Sequence, residues 1–104
     1  MILRRRPFAN VIRRQLDLFE QDNADLIREV EQAERGYEEA DRDEAEERFG
    51  DYFDLVDAGT EVLAGIRDAY ATTLDEATAE TYEEEFNRAV LKRFKRFAAD
   101  IENT

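Results

Sequence analysis

The sequence predicts an all-α protein, folded as an up-down-up three-helix bundle. Helix breakers are scarce, with one proline and four glycines in 104 residues. The chain is otherwise rich in Glu, Arg, Ala and Leu, which lose little conformational freedom in a helix. Apolar side chains also recur at three- and four-residue steps through three long stretches, the period that lays a stripe along one helical face.

In the first stretch Leu16, Val30 and Tyr37 share one seven-residue line, and Ile12, Phe19, Leu26 and Ala33 share the adjoining one. Pro7 suits the first turn of this helix, where its missing N–H costs nothing. Gly36 is a candidate end, with Ala40 the outer limit. In the second stretch Phe49, Val56, Leu63 and Tyr70 fall on one line and Tyr52, Gly59 and Ile66 on the next. Phe53, Leu55, Val62 and Leu74 widen that stripe, as a bundle helix requires. The third carries Ala79, Tyr82, Phe86, Val90, Phe94, Phe97 and Ile101. Asp41-x-x-Glu44 resembles a capping box opening the second helix, and Thr73-x-x-Glu76, or Asp75 alone, opens the third. Short connections favour antiparallel neighbours. The alternative is four shorter helices, with a break near Asn23 or Gly59. Asn23 lies on the core line of the first helix, where it either fixes register or breaks the helix. Gly59 allows a close helix approach or a bend. Residues 1–104 are expected to form one domain, with 1–6 as a flexible basic arm.

The formal net charge is −12, from 27 acidic and 15 basic residues. The distribution is uneven. Residues 1–16 hold five arginines and no acid, residues 17–87 hold 25 acids and five arginines, and residues 88–104 hold five bases and two acids. An up-down-up fold sets the basic start of helix 1 beside the acidic start of helix 3. It also sets the basic end of helix 3 beside acidic parts of the first two. Helix 1 nonetheless opposes its own macrodipole: Arg4, Arg5, Arg6, Arg13 and Arg14 cluster near its positive end. That is unfavourable unless an anionic surface lies alongside. Thirteen of the bases are arginine, a balance that suits a halophilic or GC-rich source. A halophilic origin predicts a melting temperature that rises steeply with KCl.

There is no cysteine and no histidine, so disulfides, thiolate catalysis, imidazole acid–base chemistry and zinc sites lose their usual groups. A metal site would have to be all oxygen. No apolar run approaches the ~20 residues of a membrane span, and three arginines follow Met1–Leu3 at once, so the expected location is cytoplasmic.

No catalytic residue and no cofactor is singled out. The enzymatic alternative is a magnesium-dependent all-α hydrolase of the nucleotide-pyrophosphatase kind, with a carboxylate site from Glu38, Asp41, Glu44 and Glu47. Their ExxE-type spacings arise freely by chance in so acidic a chain. Glu47, Asp54, Glu61 and Asp68 recur every seven residues opposite the apolar line, as a solvated stripe does. "LKRFKRF" (91–97) mixes bases with aromatics, as single-strand binders do, and cationic helix 1 has the form of a membrane-surface helix. However, Phe94 and Phe97 fall on the core face, and the acidic remainder of the chain repels nucleic acid and anionic lipid.

Val11 and Leu18 stand one heptad apart, away from the core seam of helix 1. With Ile2, Leu3, Arg13 and Arg14 they form a basic, apolar surface of the kind that partners cover. The expected function is a non-catalytic protein-interaction or regulatory module, self-associating as a homodimer through this face or contacting another protein with it.

Overall fold

A computed structural model describes residues 6–104. Every regular element is helical: α1 (Ala9–Asp22), α2 (Ala24–Glu38), α3 (Ala45–Ala71), α4 (Glu76–Arg93) and two 3-10 turns, Lys95–Phe97 and Ile101–Asn103. The expected three-helix bundle is therefore corrected to four helices, the alternative with its break at Asn23. Both the backbone N–H and the side-chain amide of Asn23 donate to the Phe19 carbonyl, at 2.9 and 3.0 Å. The residue sits at φ −118°, ψ 28°, closing α1 and opening α2. A short polar side chain that competes for the carbonyl of the preceding turn is the local cause of the break.

The other candidate break, at Gly59, does not occur. α3 runs 27 residues without interruption, about 40 Å at 1.5 Å per residue, and is the spine of the molecule. α2 packs antiparallel along its first half, α4 packs on α3, and α1 packs on α2 and α4. α4 opens on Asp75, whose carboxylate accepts from the Thr78 N–H at 2.9 Å and from its hydroxyl at 2.8 Å. The anticipated capping box at Asp41 does not form: Glu44 stands at the α3 N-cap without a side-chain cap, and the Asp41 backbone carbonyl accepts the Glu44 N–H instead. Pro7 lies in a turn two residues before α1 rather than within its first turn.

The core contains Ile12, Leu16, Phe19, Val30, Leu63, Ala64, Tyr82, Phe86, Val90, Phe97 and Ile101. Edge-to-face aromatic contacts fix its two ends. Phe8 meets Tyr82 and Tyr70 at 5.3 and 6.4 Å, and Phe19 meets Phe94 and Phe97 at 5.2 and 5.8 Å. The start of α1 therefore lies beside the end of α3 and the start of α4.

The chain leaves α4 at Phe94, where φ −128°, ψ 61° is not helical, and crosses back over α3. Arg67 fastens this tail. Its guanidinium, only 5% exposed, donates to the carbonyls of Ile101 (2.7 Å) and Thr104 (2.6 Å), to Asn87 Oδ1 (3.0 Å) and to Asp68 Oδ1 (2.8 Å). Thr60 Oγ1 adds a bond to the Phe97 carbonyl at 3.2 Å.

The described residues span 54 × 31 × 23 Å, with a radius of gyration of 16.0 Å. A compact chain of this length would have about 13 Å. The difference is the α2–α3 hairpin, which extends past the point where α1 has broken away and α4 has ended.

Candidate functional site

Two exposed regions stand out, one between α1 and α4 and one at the free end of the α2–α3 hairpin. The first is a groove between α1 and α4, of about 240 Å³. Its floor is apolar, from Ala9, Ile12, Leu16 and Ala89. Its rim holds Arg6, Arg13, Arg88, Lys92 and Arg93, with Glu85 as the single acid. Arg93 is engaged by Asp17 (2.7 Å) and Glu20 (2.8 Å). Arg13 bonds only the Asn10 amide oxygen, at 2.8 Å. Among the described residues, Arg6, Arg13, Arg14, Arg88 and Lys92 form no salt bridge. Oε2 of Glu85 is buried without a hydrogen-bond partner. The first turn of α1 contains no acid, so its N-terminal N–H groups and nearby arginines sum to one positive field.

The second region is the free end of the α2–α3 hairpin. Tyr37, Phe49 and Phe53 are 39%, 46% and 47% exposed. Tyr37 and Phe49 meet edge to face at 5.3 Å, and Phe49 stacks on Phe53 at 6.3 Å. All three are expected in the core; Tyr37 and Phe49 fall instead where only two helices remain, and Phe53 lies at the edge of the tail, lining one cavity with Arg96 and Phe97. The boundary is marked by Glu34, which takes a two-pronged bond from Arg96 (2.8 and 3.2 Å) and one from the Tyr52 hydroxyl at 3.3 Å. The Arg96 bonds hold the Glu34 carboxyl below its usual range, while burial, then the charge of Glu34, pushes the Tyr52 phenol up. Beyond this level residues 38–51 carry eight carboxylates and two arginines. The result is an aromatic cap inside a ring of negative charge.

The residues expected to form the contact face on helix 1 are separated by the fold. Arg13 sides with Ala9 and Leu16 at the groove. Val11 and Leu18 lie on the other flank of the buried Ile12–Leu16–Phe19 stripe, as 100° per residue dictates. Val11 is half-buried against the core, Leu18 is 50% exposed, and Arg13 and Arg14 are exposed. Ile2 and Leu3, with most of the expected basic arm, lie outside the described residues. Glu38, Asp41, Glu44 and Glu47 are exposed around the α2–α3 turn. Among the described residues no three such side chains converge as metal ligands. None of the described helices is long and apolar enough to cross a membrane.

The aromatic cap escaped the sequence reading because a heptad line tells which face of a helix is apolar, not whether a neighbour covers it. The signal that marks it is charge density: seven acids between Glu38 and Glu47 place the end of the hairpin in water. Comparison of the chain with protein-family models, curated proteins and solved structures finds no match.

Proposed function

We propose that this protein is a non-catalytic interaction module that associates with a second copy of itself through the cationic side of α1. The observation that carries the proposal is the clustering along α1 and the facing part of α4 of Arg6, Arg13, Arg14, Arg88 and Lys92, none of which forms a salt bridge among the described residues of a chain whose net charge is −12. The positive end of α1 adds to their field, so an anionic surface alongside lowers the energy of the whole cluster. Every further copy of this chain brings such a surface. Leu18, half-exposed on the other flank of α1 beside Arg14, adds apolar area that a partner covering the outer face of the helix would bury.

Light scattering on wild type, Leu18→Glu and Arg13→Glu/Arg14→Glu tests this reading. Glutamate at position 18 removes the apolar contact and sets a carboxylate against the partner's acids. The expected result is an associated wild type and monomeric variants. An unchanged species in both variants contradicts the proposal.

A further inference from the structure

The aromatic cap and the cationic groove match one another in chemistry but not in place. Phe49 lies near the start of α3 and Tyr70, which touches Phe8 at the α1 end, lies near its finish. The intervening 21 residues of continuous helix hold Phe49 about 30 Å from the Phe8 end of α1, and neither Phe49 nor Phe53 lines the groove. Within one molecule the cap rings lie outside the groove.

We infer that the cap of one copy seats in the α1–α4 groove of another, with Phe49 and Phe53 over the Ala9–Ile12–Leu16–Ala89 floor and the cap carboxylates against Arg13, Arg88 and Lys92. The inference rests on the self-association proposed above and names the two surfaces that meet. The groove, about 240 Å³, is smaller than the ~300–1,000 Å³ typical of small-molecule sites and is scaled to side chains. Its apolar floor suits aromatic rings, and its rim places guanidinium and ammonium groups where cation–π contact with an entering ring is favourable. Glu46 and Asp57 lie three residues before Phe49 and four after Phe53, on the same helical face, so entry of the rings carries carboxylates to the rim. Charge selects this pairing over the like-to-like arrangements. Groove on groove opposes cations with cations, and cap on cap opposes two rings of carboxylates.

The test uses two variants, each lacking one surface. Phe49→Ser/Phe53→Ser removes the rings at exposed positions. Arg13→Glu/Arg88→Glu/Lys92→Glu reverses the rim, also at exposed positions. Circular dichroism establishes that each keeps its helices, and sedimentation velocity reads the mass. Each variant alone is expected to associate at least tenfold more weakly than wild type. An equimolar mixture is expected to form a 1:1 complex of about 24 kDa, twice the 12.2 kDa chain, because each supplies the surface the other lacks. Raising the salt from about 50 mM to about 500 mM is expected to dissolve it. If wild type and both variants associate equally, self-association stands and this pairing is wrong. If both variants are monomeric and their mixture is too, the pairing is again wrong. A wild type that is monomeric throughout removes the underlying reading and the inference with it.

Discussion

A Cβ atom on Gly59 would lie 2.3 Å from Cε1 of Phe97, inside the ring's van der Waals surface. This contact lets the tail cross α3 and bury Phe97, and no other residue type fits without moving the ring. Gly59→Ala is therefore expected to destabilise by roughly 1–3 kcal/mol from overpacking, even though alanine is the better helix former. Gly65, in the same helix, has nothing within 4 Å of its added Cβ. Gly65→Ala is expected to stabilise by about 0.5–1 kcal/mol. Urea unfolding followed by circular dichroism should move the two midpoints in opposite directions.

Arg67 is the second hold on the tail. Arg67→Met keeps its aliphatic stem but strands the Ile101 and Thr104 carbonyls and Asn87 Oδ1, at an expected loss of roughly 2–4 kcal/mol. Lysine cannot present the planar fork that reaches all of these acceptors, so Arg67→Lys should recover only part of the loss. Hydrogen exchange in residues 94–104 should rise before that in α2.

Asp75 gives a pH-dependent cap. The Thr78 N–H and hydroxyl hold its carboxyl below the usual aspartate range. A lowered folded pKa means that the stabilisation is present above the unfolded value of about 3.9 and is lost as pH falls through and below it. Asp75→Ala should lower the melting temperature at neutral pH. Asp75→Asn should keep most of the cap there while flattening the fall in melting temperature between about pH 5 and 3.

At the alkaline end Tyr82 dominates. It is fully buried with its hydroxyl donating to Gln15 at 2.8 Å, and burial pushes its phenol up to about 12. The folded protein keeps this proton after the unfolded chain has released it. Stability therefore falls with rising pH from about 10, by roughly 2–3 kcal/mol in all, with the loss complete as pH passes about 12. Tyr82→Phe should show a shallower decline over the same range in denaturant titrations. Parallel curves would show that Tyr82 is not the group responsible.

The helical period is written in the spacing of Ile12, Leu16 and Phe19, and of Tyr82, Phe86 and Val90, all buried as that spacing requires. Asp75 is legible as a cap because its chemistry is local. Asn23 is legible only as an alternative, since its effect depends on whether its side chain turns back to the Phe19 carbonyl. The fate of Phe97 illustrates the limit. Its burial follows from its place on the apolar line, but it is carried by a tail that has already left α4. Arg67 gave no signal, because one arginine among acids has the pattern of a solvated residue until the tail folds over it. The cationic groove and aromatic cap depend on where neighbouring helices stop, which is a tertiary fact.

The proposed self-association is tested most directly by sedimentation equilibrium of the wild-type chain over a wide concentration range at low ionic strength. The expected result is a weight-average mass that climbs above 12.2 kDa with concentration and falls back when salt is added. A mass of 12.2 kDa at every concentration would contradict it.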